Sequence, residues 1–88
     1  LGGEEFVILL VETPIAQARN IAERVRMAQM TDAMEGREIT VSLGVSELLP
    51  DDRGIENLIQ RADAAMYRAK TAGRNCVEVQ LETDVTPE

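Results

Sequence analysis

Histidine is absent from this 88-residue chain and cysteine occurs once, at Cys76. Those two facts remove zinc centres built on His and Cys and every His-based catalytic triad. One cysteine cannot make an internal disulfide framework, so a reducing cytoplasm is the easier setting. Basic residues are also scarce: 9 against 16 acidic ones, for a net charge of −7. That balance argues against a general nucleic-acid surface or an anionic-membrane surface. It leaves room for a small anionic ligand held by a few local cations. No run approaches the roughly 18 to 20 apolar residues that a membrane span needs. What remains open is chemistry based on carboxylates and hard cations such as Mg²⁺.

Hydrophobic residues make up 44% of the chain, enough for a single small globular domain. It begins at Leu1, not at a methionine, and in the middle of what reads as a turn. That start predicts a piece of something longer. Six consecutive apolar residues, Phe6 to Val11, follow Gly2-Gly3-Glu4-Glu5. So continuous a run predicts a strand, Glu5 to Val11, buried on both faces. Thr13-Pro14 reads as a helix start, Thr13 as N-cap and Pro14 at the first helical position. Ile15, Ala18, Ala22, Val25 and Ala28 then recur at helical spacing, and the helix should end before Gly36.

The stretch REITVSLGVSE alternates, with Ile39, Val41, Leu43 and Val45 on one side and Thr40, Ser42, Gly44 and Ser46 on the other. This pattern predicts a half-buried strand. The cluster Pro50 to Gly54 is turn chemistry able to cap a helix beginning just after it. That second helix should run to about Thr71, its apolar stripe being Ile55, Leu58, Ile59, Ala62, Ala65, Met66 and Ala69. Ala72-Gly73 would stop it, with glycine in the left-handed region. A short strand, Cys76 to Leu81, should turn Glu78 and Gln80 outward, and residues 82–88 read as an acidic tail. The order β-α-β-α-β gives an α/β layered protein with helices covering one sheet.

Three pieces could carry chemistry. The Gly2-Gly3 pair permits a tight turn and close approach of backbone N–H groups to a phosphate. Glu4 and Glu5 are adjacent, so in extended chain they point to opposite faces and do not form a simple metal-binding pair. The plain alternative is a hairpin turn followed by two solvated acids. Lys70 and Arg74, near the end of the second helix, could converge on a polyphosphate. Equally, cations at a helix C-terminus are favoured by its dipole. Asp63, in mid-helix, reads as a solvated acid or one half of an i,i+4 ion pair. Met66 reads as core, and Tyr67 could be packing.

In order and spacing, LGGEEFVILL, ITVSLGVSE and LIQRADAAMYRAKTAGRN resemble the second half of the GGDEF family of diguanylate cyclases, from Leu1 to about Val79. The resemblance implies an α/β (α+β) fold with a palm-like nucleotide-cyclase sheet and covering helices. Residues 1–81 would be the C-terminal half of such a domain. It implies Mg²⁺- or Mn²⁺-dependent condensation of two GTP molecules into cyclic di-GMP with release of pyrophosphate. Each subunit of a homodimer would hold one GTP, and an N-terminal sensor or receiver domain would bring the subunits together. Carried over, Gly2 and Gly3 would let the backbone pass close to the nucleotide. Glu4 would ligate the metal and help deprotonate the attacking hydroxyl. Glu5 belongs to the signature as a second candidate metal ligand, with its face unresolved, and Lys70 and Arg74 would hold the phosphates.

The family's central first strand, with its metal-binding Asp, has no counterpart in these residues, nor do the guanine-reading residues or the upstream Arg-x-x-Asp product-binding pattern. Residues 1–88 alone are therefore expected to be inactive, with upstream chain or another subunit filling the gap. The location implied is cytoplasmic, including the cytoplasmic part of a membrane-bound sensor, with neither nucleic acid nor direct membrane contact. Two further readings are a non-catalytic module binding GTP or cyclic di-GMP, and a structural fragment without ligand.

Overall fold

A computed structural model describes residues 10, 12–31 and 40–81. Its four elements are, in order, α1 (Ile15–Thr31), β1 (Leu43–Ser46), α2 (Ile55–Thr71) and β2 (Val77–Gln80). Of the expected first strand, Glu5 to Val11, only Leu10 is described; it lies in no strand and is 39% exposed, against the burial expected there. Residues 5–9 and 11 and the acidic tail lie outside the described residues. The mixed α/β character is as the sequence implies. No described helix is long and apolar enough to cross a membrane.

Strands β1 and β2 pair in parallel, Leu43 opposite Val77 and Ser46 opposite Gln80. Parallel neighbours need a crossover, and α2 supplies it. Leu43 N–H donates to the Cys76 carbonyl at 3.0 Å, which opens the ladder one residue before β2. Helix α1 begins one residue later than its sequence signal suggests: Ile15 is its first residue, and the Pro14 carbonyl accepts the Ala18 N–H at 2.9 Å. Such one-residue shifts are ordinary at helix ends.

The two sheet faces are covered by different helices. On one face, Ala18 and Ala22 of α1 form a cluster with Val45, flanked by Ile15, Leu43, Val77 and Val79. Because side chains alternate along a strand, Gly44, Ser46, Glu78 and Gln80 share the opposite face, which α2 crosses. This corrects the sequence expectation of a polar outer face. Ser46 Oγ donates to the Leu58 carbonyl at 2.7 Å, and Arg68 donates to the Val79 carbonyl at 2.9 Å and to the Gln80 side chain. Glu78 and Gln80 are accordingly half-buried.

The expected long strand contracts to Leu43–Ser46, and residues 40–42 are irregular. At Gly44 the helix comes so close that a Cβ would lie 2.0 Å from the Ala62 carbonyl oxygen and 2.3 Å from the Met66 nitrogen. Only glycine permits that approach. Ala65 and Ala69, one turn apart on α2, are fully buried. The packing is small side chain against backbone, so the helix axis sits low on the sheet.

Helix α2 begins at an extended N-cap, Gly54, without a side-chain cap. Asn57 reaches back instead, its Oδ1 accepting the Arg53 N–H at 3.2 Å. The preceding loop is held by Arg61. Its guanidinium meets Asp52 at 2.8 and 2.6 Å and the Glu47 carbonyl at 2.8 Å, and Arg61 is 2% exposed. Asp52 also accepts the Leu49 N–H at 2.7 Å. These bonds, Arg61 first, hold the Asp52 carboxyl down at about 2.

Candidate functional site

The end of α2 is built as its sequence implies. Ala72 N–H donates to the Arg68 carbonyl at 2.8 Å, Gly73 N–H to Lys70 at 3.4 Å and Arg74 N–H to Ala69 at 2.9 Å. The last two bonds are the paired closure of a Schellman motif. Gly73 takes a positive φ of 123°, as its position after the last helical turn leads one to expect.

The next two residues are less expected. Arg74 (φ 66°) and Asn75 (φ 50°) are also left-handed, making three such residues in a row. Asparagine tolerates that region, but arginine enters it at a cost of about 1–2 kcal/mol. Something must therefore hold the turn. Asn75 N–H donates to Ser42 Oγ at 3.1 Å, just ahead of β1. Asn75 Oδ1 accepts from Arg26 of α1 at 2.9 Å. Arg26 is in turn fixed by Glu23, with Nε 3.0 Å from Oε1 and 3.2 Å from Oε2. Their bond lowers the Glu23 pKa and raises that of Arg26. Cys76 Sγ lies 3.4 Å from the Ala69 carbonyl, within reach of a weak bond to α2.

Both predicted phosphate-binding cations belong to this end of α2. Lys70 is half-buried in the last helical turn, and Arg74 is exposed immediately beyond the glycine stop. A guanidinium on an exposed, pinned turn can make bidentate bonds to a phosphate, and Lys70, four residues earlier, carries a second positive charge. Gly2, Gly3, Glu4 and Glu5 lie outside the described residues. Among the described residues no group of three metal-binding side chains comes together. Asp63 and Tyr67 are exposed, and Met66 is half-buried against Gly44.

Sequence reading does not single out Arg26, Ser42 or Asn75. The signal available for Asn75 is an asparagine directly after Gly-Arg, where a left-handed turn is already under way. Nothing local marks Arg26, whose partner lies 49 residues away.

The family model described as diguanylate cyclase, GGDEF domain, matches residues 1–76. The response regulator PleD of Caulobacter vibrioides is 43% identical, over 86% of this chain and 18% of its own length. Diguanylate cyclase DgcM of Escherichia coli is also 43% identical, with the same two shares. Diguanylate cyclase A of Treponema denticola is 38% identical over 86% of this chain and 22% of its own. The chain thus spans about a fifth of the length of these relatives.

Proposed function

The chain belongs to the GGDEF family of diguanylate cyclases, and from that premise we propose that it is the C-terminal half, residues 1–81, of a catalytic domain that condenses two GTP molecules into cyclic di-GMP. The carrying observation is that the family match, residues 1–76, takes in both the Gly2-Gly3-Glu4-Glu5 signature and the Gly73-Arg74 turn. The acidic and the cationic ends of the proposed site thus fall within one matched segment. Residues 82–88 are a tail outside it.

In this reading Lys70 and Arg74 bind and orient the triphosphate, neutralising charge that develops on its oxygens. Gly2 and Gly3 bring backbone N–H groups close to the same phosphates. Glu4 takes the proton of the attacking hydroxyl. The signature's hard carboxylate donors suit Mg²⁺ or Mn²⁺, with Glu4 as the ligand and Glu5, on the other face of an extended chain, as the second candidate. When bound, such an ion supplies charge neutralisation and alignment at the phosphates. Two facing subunits each present one GTP, and an N-terminal sensor or receiver domain sets how often they meet, in the cytoplasm.

The test uses the full-length protein with GTP and Mg²⁺, the product being identified by chromatography and mass. Turnover to cyclic di-GMP, lost in Glu4→Gln while GTP binding is partly kept, is the expected result. GTP binding without turnover in the unaltered protein would point to a binding module instead.

A further inference from the structure

Arg74 is the exposed cation of the site, yet it makes its turn in a conformation that arginine avoids. Its own N–H is tied to α2 through Ala69, and the next N–H is tied to Ser42 ahead of β1. The side chain of Asn75 carries the third tie, to Arg26 on α1. Three segments separated in sequence, α1, α2 and the residues just ahead of β1, therefore converge on Arg74 and the residue after it. Arg26 is well placed to anchor them. Its side chain is 17% exposed, and its Nε edge is held by Glu23, with one Nη aimed at Asn75. A fixed guanidinium loses little freedom on making one more hydrogen bond.

We propose that Arg26, acting through Asn75, is a positioning residue that locks the 73–75 turn and so holds Arg74 ready for a phosphate. The inference rests on the reading that Arg74 meets the nucleotide's phosphates. Arg26 touches neither substrate nor metal. It shifts the population of the turn toward the binding geometry before ligand arrives. The benefit appears as affinity, because ordering the turn would otherwise be charged against binding.

Two readouts on the full-length protein separate this claim from the one beneath it. The first is amide hydrogen exchange at Arg74 and Asn75, which needs no ligand. Arg26→Gln should speed exchange there about tenfold, the scale expected when one charge-assisted hydrogen bond is lost. Unchanged protection overturns the lock, whatever the protein catalyses. The second is GTP affinity by titration. Arg26→Gln should weaken it about tenfold alone and by almost nothing when Arg74 is already alanine, because the two act in series. Equal losses in both backgrounds would show a structural role only, and would also overturn the proposal. Arg26→Lys, which keeps the charge but loses the fork, should recover only part of the affinity. If the unaltered protein fails to bind GTP, the functional reading falls, and amide exchange alone decides the lock.

Discussion

The guanidinium of Arg61 and the carboxylate of Asp52 face each other through two hydrogen bonds of 2.8 and 2.6 Å, each side chain only 3% exposed. The pair is nine residues apart in sequence and closes the loop between β1 and α2. Removing one member of a buried pair strands the other's charge. Arg61→Ala should therefore lower the melting temperature by roughly 10 °C, as read by calorimetry, a sizeable loss for a small domain. A change within about 2 °C would show that the loop is held by other means.

The same pair gives a pH dependence. Asp52 is depressed from 3.8 to about 2 in the folded state. A depressed carboxyl stabilises the fold above its unfolded pKa, and that contribution fades as pH falls toward the folded value. The urea midpoint of the unaltered protein should exceed that of Asp52→Asn by a constant margin above about pH 5. The margin should narrow between about pH 4 and 2. A margin that widens on acidification would contradict the assigned direction.

Gly44 predicts a failure of folding. Alanine there would put its Cβ 2.0 Å from a backbone oxygen and 2.3 Å from a backbone nitrogen, neither of which can rotate away. Lifting α2 off the sheet should cost roughly 3 kcal/mol or more. Gly44→Ala should be insoluble or lack a cooperative melt, and an ordinary melt would refute the close approach.

Gly73 is a milder case of the same residue type. A Cβ there meets nothing within 4 Å, so only the positive φ of 123° is at stake. Gly73→Ala should cost about 1 kcal/mol, or about 5 °C in melting temperature. Gly73→Asn should lose less, because asparagine enters the left-handed region more readily.

Arg74 is exposed and should contribute little to stability. Arg74→Ala should leave the melting temperature nearly unchanged yet weaken GTP binding about tenfold or more, the scale of a lost charge-assisted bond to phosphate. Equal GTP affinity would remove this residue from the proposed site.

The sequence made α2 plain from end to end. Its stripe and the Ala72-Gly73 stop lead to the observed last residue, Thr71. The alternation through β1 also located the face carrying Leu43 and Val45. It misled on the other face, because Gly44 and Ser46 read as polar and outward when their smallness is what admits a helix. The sequence reading does not single out Arg61, whose burial depends on a loop folding back to bring Asp52. The tie between Arg26 and Asn75 is a tertiary fact that no local pattern encodes. The proposed acidic end, Gly2 to Glu5, lies outside the described residues.

The seat of α2 on Gly44 also works as a datum. Met66 rests on that glycine, and Lys70 stands four residues further along the same rod, about 6 Å beyond it. Rigid backbone against rigid backbone leaves the helix no room to slide along β1, so the height at which the two cations emerge is measured from position 44. An insertion between Met66 and Lys70 would turn the ammonium about 100° around the rod, whereas one in the loop 47–53 would leave that height untouched.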